Sequence, residues 1–149
     1  MIRVQEQDFD INQEYQALLN NDSSSGAVVL FVGRVRDLNQ GHQVSQLFLE
    51  HYSQMTEKYL AQLEQQAMEL WPLENVSIIH RVGELKLEDK IVLVAVSSTH
   101  RESAFEAAQY LIDLLKANAP FWKKELVDGG KNRWVNANHK DKIAAAQWS

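Results

Sequence analysis

The chain has only two prolines, Pro72 and Pro120, and each closes a stretch of helical periodicity. Proline lacks an amide hydrogen and biases the residue before it toward extended geometry, so a helix stops at or before each one. Ahead of Pro72, Met55, Tyr59, Leu63, Ala67 and Leu70/Trp71 recur at helical spacing, and Ser53 is placed to cap the start. Ahead of Pro120, Ala104, Ala108, Leu111, Ile112 and Leu115 share one face. Thr99 and Glu102 fit a capping box at the start of that second helix. Each long helix follows a strand-like run.

The run Ala27 to Val35 is mostly apolar and β-branched, as expected of a strand buried on both faces. Val44 to Tyr52, Val76 to Val82 and Ile91 to Ser98 read as further strands, the last two joined by a charged turn from Glu84 to Lys90. Ile2 to Val4 is a short edge strand, and Asp10 caps a short helix carrying Ile11, Tyr15 and Leu18/Leu19. Asn20 to Gly26 and Asp37 to Gln43 read as loops, the second a mobile one. Beyond Pro120 an extended segment reaches Val127, a turn spans Asp128 to Asn132, Arg133 to Val135 pairs back, and the tail is helical near Ala144. The strand pairs look like hairpins. The expected fold is therefore α+β, a mixed or antiparallel sheet with two long helices, in one domain spanning 1–149.

A formal net charge of −5 argues against a general nucleic-acid binder. The absence of cysteine excludes disulfides, thiolate metal sites and a cysteine nucleophile. No segment approaches the roughly 18 apolar residues of a membrane span, and no signal-peptide run opens the chain, so a cytoplasmic protein is expected.

Against that acidic background, basic residues gather in three places. Lys116, Lys123 and Lys124 flank the Pro120 break beside Phe121 and Trp122. Neighbouring positive charge and partial burial both favour a neutral amine, suited to nucleophilic or proton-transfer chemistry. In an extended segment Lys123 and Lys124 point to opposite faces, so only one readily joins Lys116. The bland alternative is a set of helix-end lysines complementing the macrodipole. His100 and Arg101 stand in the first turn of their helix, where free amide hydrogens and cationic side chains together make an anion site. Arg34 and Arg36 share a face if their strand continues, and arginine suits bidentate phosphate contact. His51 and His80 read as strand histidines with hydrogen-bond roles. No two histidines sit at short ligand spacing, so no metal site is expected.

Several of these segments occur in an order that resembles one family. They are the run from Gly26 to Arg36, Leu49 to Tyr52 with Met55 to Glu57, His80 to Leu85, Ile91 to Ser98, His100/Arg101, Ala104/Phe105, and Ala119 to Glu125. Together they resemble the large, catalytic subunit of molybdopterin synthase across nearly the whole chain. The resemblance implies an α/β-hammerhead-like fold and sulfur transfer in molybdenum cofactor biosynthesis, with no cofactor of the chain's own. The sulfur would arrive as a thiocarboxylate on the C-terminal glycine of a small ubiquitin-like partner and pass to cyclic pyranopterin monophosphate as a dithiolene. The missing cysteine fits, since the chain need not carry the sulfur.

Carried over by position, Lys116 and Lys123 are the implied catalytic lysines. Arg34, Arg36, His100, Arg101, Lys124 and Glu125 are the implied substrate-binding residues. Two places depart from the family pattern. Leu87-Glu88-Asp89 stands where Pro-Gly-Asp is frequent, and Asn138 stands where some members have arginine, with Arg133 and Lys140 as candidate substitutes.

Helix length adds a constraint. Lys116 lies 16 residues after His100, about 24 Å along one straight helix. A small pterin cannot readily span that distance, so either the two groups serve different sites or one pocket borrows from a second copy. The second is favoured: a two-fold dimer with composite sites, each taking Lys116, Lys123 and Arg36 from one chain and His100 and Arg101 from the other. The family is similarly a dimer flanked by two small subunits. Two other readings stay open: a non-catalytic module that binds a ubiquitin-like tail, and a phosphate-ester enzyme with a lysine-arginine pocket.

Overall fold

The computed structural model describes residues 1–39, 41–118, 120–127, 131–135 and 139–148, without the side chains of Leu38, His42, Lys131 and His139. Thirteen elements follow one another: β1 (Ile2–Gln5), α1 (Ile11–Leu18), β2 (Ala27–Arg34), β3 (Leu38–Asn39), β4 (His42–His51), α2 (Ser53–Leu70), β5 (Leu73–Arg81), β6 (Gly83–Lys86), β7 (Lys90–Ser98), α3 (Arg101–Asn118), β8 (Phe121–Val127), β9 (Lys131–Val135) and α4 (His139–Ala146). They build two sheets. The first has the order β1-β5-β7-β2, with β1 parallel to β5 and the other pairs antiparallel. In the second, β8 and β9 follow β4 on one side, while β3 and β6 pair with β4.

Burial explains the layering. Leu60, Leu63 and Ala67 of α2 and Ala104, Ala107, Ala108, Leu111 and Leu115 of α3 pack on Ile78, Val92, Val94 and Val96. The alternate residues Ile79, Leu93 and Ala95 face the other way, onto Phe9 and Leu18. β5 and β7 are thus covered on both faces, which is why both read as continuous apolar runs. β2, expected to be buried on both faces, is instead the sheet edge and only half-buried.

Local signals held at some ends and moved at others. Asp10 caps α1, accepting from the Gln13 amide at 2.9 Å. Ser53 is the first residue of α2 rather than its cap, which is Tyr52, because β4 pairing runs through His51 and Tyr52 follows in extended geometry. α3 begins at Arg101, which puts the capping position at His100 instead of Thr99. The Ser98 hydroxyl donates to the His100 carbonyl there, holding the turn before the helix. The expected Asp37–Gln43 loop contains β3 and a hairpin turn with Gly41 at φ +80°. The expected Glu84–Lys90 turn contains β6. The Asp128–Gly130 part of the last expected turn lies outside the described residues.

The chain crosses between the two sheets at two points that matter below. At Val82–Gly83 the end of β5 passes into β6, with Gly83 at φ +85°, a left-handed geometry that favours glycine. At Val35–Asp37 the end of β2 passes into β3. The C-terminal end of α3 reaches the same junction through Pro120 and β8.

Candidate active site

Strand alternation sorts the opening of β8 into two faces. Phe121, Lys123 and Glu125 point toward the junction of the sheets, while Trp122 and Lys124 point away. Phe121 stacks on the His80 ring at 3.9 Å between centroids, 19° from parallel, and lies 6.2 Å from His51, its cross-strand neighbour on β4. On the outward face, Trp122 meets Tyr52 edge-on at 4.6 Å, and the Lys124 ammonium sits 5.4 Å from the Trp134 ring and 5.7 Å from Phe48. The expected split of Lys123 from Lys124 is what the register produces.

Lys116, in the last turn of α3, comes to the inward face. Burial pushes its amine below the ordinary lysine range, and the Lys123 and Arg36 charges push the same way, against an opposing pull from Asp141. Its side chain reaches solvent at the rim, yet the surrounding protein removes enough water for desolvation to dominate. Lys123 is half-buried and also lowered, first by burial. Glu125 and Asp141 work against that shift, and Arg36 and Arg133 add to it. The two amines and Arg36 therefore share one electrostatic neighbourhood.

Glu125 is a buried carboxylate, 3% exposed, held by the Arg133 guanidinium at 2.9 Å and the Asn39 amide at 2.8 Å. Arg133 also donates to the Asn39 carbonyl at 3.1 Å. Arg133 thus braces Glu125 beneath Lys123. Lys140 is exposed, and Asn138 lies outside the described residues.

Beneath the lysines is a group that sequence reasoning did not connect to them. His80 closes β5, is 5% exposed, and places Nδ1 2.8 Å from the Arg81 carbonyl oxygen. A carbonyl only accepts, so Nδ1 carries the proton and Nε2 keeps its lone pair. Burial drives the imidazole down to about 3, helped by the charges of Lys116, His51 and Lys123 and opposed by the Arg81 contact. His80 is a neutral histidine at neutral pH. Nearby, Nδ1 of His51 is buried without a hydrogen-bond partner among the described residues. The hydrogen-bond role expected of strand histidines is present at His80, but its position beside the lysines came from the fold. The available signal was a histidine inside an otherwise apolar strand. Asp141, on the C-terminal helix, carried no signal at all.

The other candidates are placed separately. Arg34 and Arg36 are separated, because β2 ends at Arg34 and the Val35 amide turns to the Asp89 carbonyl at 2.9 Å. Arg36 faces the lysines, whereas Arg34 makes an exposed ion pair with Glu88 at 3.8 Å. His100 and Arg101 are exposed at the far end of α3, which runs unbroken from Arg101 to Asn118. Within one chain they are about 24 Å from Lys116. Among the described residues no group of three or more histidine, aspartate or glutamate side chains is arranged to hold a metal. No described helix is long and apolar enough to cross a membrane.

The family profile described as MoaE protein matches residues 4–118. This chain belongs to the MoaE family. It is 52% identical over 147 residues to the molybdopterin synthase catalytic subunit of Haemophilus influenzae, covering 99% of this chain and 97% of that one. The MoaE protein structure from Burkholderia ambifaria superposes with a TM-score of 0.85 at 45% identity, over 99% of this chain and 97% of the other. Molybdopterin synthase from Staphylococcus aureus gives 0.82 at 36% identity, over 90% and 96%. MoaE membership makes this chain a sulfur-transferring enzyme of molybdenum cofactor biosynthesis, the catalytic subunit of molybdopterin synthase.

Proposed function

We propose that the Lys116–Lys123 pocket is where sulfur passes from the C-terminal thiocarboxylate of a small ubiquitin-like carrier to cyclic pyranopterin monophosphate. One observation carries the assignment: two amines, both held below the ordinary lysine range, converge with Arg36 over a neutral buried histidine. Lys116 reaches solvent at the rim and burial is the largest influence lowering its amine, so it is the covalent or proton-transfer amine. Lys123 has Glu125 beneath it, which favours its charged form, so it stabilises negative charge on the thiocarboxylate as sulfur leaves. Arg36 supplies a fixed positive charge for the substrate phosphate. Lys124 faces away, and Glu125 is tied to Arg133, so both support the segment rather than touch the substrate.

His100 and Arg101 belong to the same reaction only through a second copy of the chain. In this reading a two-fold dimer joins the lysine pocket of one protomer to the helix start of its partner, and two small carriers complete a heterotetramer in the cytoplasm. The length of α3 supports that arrangement, since one pterin phosphate cannot reach both ends of it.

The test is dithiolene formation from thiocarboxylated carrier and cyclic pyranopterin monophosphate. Lys116→Ala and Lys123→Ala should each abolish most product while the chain still binds the carrier. Near-normal product from either variant overturns the role given to that lysine.

A further inference from the structure

We propose that Asn39 is a positioning residue for sulfur transfer: its contact with Glu125 ties the turn that carries Arg36 to the strand that carries Lys123, and so fixes the spacing between those two charges. The inference rests on the roles given above to Arg36 and Lys123, and it adds a residue from outside the helix and strand that carry the two lysines.

Glu125 is held on both of its oxygens. Oε1 accepts from the Arg133 guanidinium at 2.9 Å, and Oε2 accepts from the Asn39 side-chain amide at 2.8 Å. The same Arg133 nitrogen donates to the Asn39 backbone carbonyl at 3.1 Å. Residues from β3, β8 and β9 thus close a ring of hydrogen bonds around a carboxylate that is almost fully buried. Hydrogen bonds to an ionised group are shorter and stronger than neutral ones, and a low-dielectric surrounding strengthens them further. Such a ring holds the segments it joins at a fixed separation.

The two segments it joins are those that present Arg36 and Lys123. Lys123 lies two residues before Glu125 on the same face of β8, about 7 Å along the strand. Arg36 lies three residues before Asn39, within about 11 Å of extended chain. The other anchors of the Arg36 segment lead elsewhere. The Val35 amide donates to the Asp89 carbonyl at 2.9 Å, and the Val35 carbonyl accepts from the Glu88 amide at 2.8 Å. The Asp37 carbonyl accepts from the Val44 amide at 2.8 Å. Those contacts fix the segment to the turn before β7 and to β4. β3 itself is two residues long and pairs with the start of β4. Among the described residues, Asn39 supplies the hydrogen bond that runs from this segment to β8. With the tie removed, Arg36 still holds a phosphate and Lys123 still bears a charge, but the two no longer meet the substrate at one spacing. The loss then falls on the rate of the bound complex, not on binding.

The experiment is single-turnover dithiolene formation by the full-length chain in complex with thiocarboxylated carrier, over a range of cyclic pyranopterin monophosphate concentrations. Circular dichroism shows that each variant is folded under the assay conditions. Asn39→Ala should lower the saturating rate about tenfold and leave the half-saturating concentration within about twofold. Combining Asn39→Asp with Glu125→Gln exchanges donor and acceptor: the introduced amide gives its N–H to the new carboxylate and keeps its oxygen on Arg133. That pair should recover most of the rate, whereas Asn39→Asp alone sets two carboxylates against each other and should be slower than Asn39→Ala. Three results overturn the inference: an unmodified rate in folded Asn39→Ala, a loss that falls wholly on half-saturation, or a paired variant no faster than Asn39→Asp. Should Asn39→Ala fail to fold, Asn39→Ser is too short to reach Glu125 and is read identically. Lys123→Ala separates this inference from the reading it rests on. An active Lys123→Ala chain removes the role of Lys123 itself, whereas an inactive one beside a fully active Asn39→Ala overturns the positioning alone.

Discussion

Replacing His80 with asparagine should flatten the acid side of the stability profile. The imidazole is held near 3 in the folded chain against an ordinary 6.5. Below pH 6.5 the unfolded chain takes up a proton that the folded chain refuses, so stability is intact above 6.5 and falls as the pH drops toward 3. At 1.36 kcal/mol per pKa unit, acidification from pH 7.5 to pH 5 removes about 2 kcal/mol through this one group. Asparagine can keep the donor to the Arg81 carbonyl, since its amide mimics Nδ1–H, and it does not titrate. The variant loses some packing on Phe121 and starts lower at pH 7.5, but its decline to pH 5 should be shallower by about 2 kcal/mol. Urea unfolding at half-unit pH steps measures both curves. The other titrating groups are common to both chains and cancel in the difference. Asp22, whose carboxyl is held at about 2 by Ser25 and Ser24, contributes only below its ordinary value of 3.8, outside the window. Parallel curves for the two chains would refute the buried neutral histidine.

Two further changes test the fold around the site. Glu88 sits at φ +72°, in a turn closed by the Asp89 amide on the Lys86 carbonyl at 3.1 Å. An L-residue there costs about 1–2 kcal/mol, part of which glycine's greater unfolded-state entropy offsets. Glu88→Gly should raise stability by about 0.5–1 kcal/mol in urea melts, because the exposed Arg34–Glu88 pair contributes little. An unchanged or lower midpoint would count against a strained turn. Trp148→Phe keeps the ring but removes the donor to buried Asp113, leaving Gln109 and Gln147 on that carboxylate. The expected loss is about 1–2 kcal/mol, and an unmoved urea midpoint would show that the indole contact does not anchor α4.

The parts of the fold that were legible in the sequence are those set by local rules. Pro72 and Pro120 marked the ends of α2 and α3, helical spacing picked out the buried faces, and alternation separated Lys123 from Lys124. Two short strands, β3 and β6, were not legible: β3 is only two residues paired with the start of β4, and β6 depends on a distant partner along β4. β6 reads as polar, with Leu85 its one buried hydrophobic residue apart from Gly83. The helix caps shifted by one residue because strand pairing immediately before α2 and the turn after β7 decided where each helix could begin.

The site divides along the same line. Lys116 and Lys123 were visible as amines around a helix stop, but Arg34 and Arg36 looked equivalent until the end of β2 at Arg34 sent them apart. His80 and Asp141 lie 36 residues before and 25 residues after Lys116. Only the crossing of β5 into the second sheet and the packing of α4 on α3 bring them toward it. No spacing rule connects residues that meet through three different elements.

The claim that most depends on the whole account is that a lysine pocket in one protomer is completed by His100 and Arg101 of its partner. Mixing Lys116→Ala chains with Arg101→Ala chains under conditions that exchange protomers measures it directly. Each variant alone should be nearly inactive in dithiolene formation. In an equal mixture, half of the dimers are hybrids, and each hybrid carries one site with both residues intact, so about a quarter of the unmodified activity should return. If the mixture stays as inactive as its parents although hybrids have formed, the two residues work within one chain or in different reactions, and the composite site is wrong.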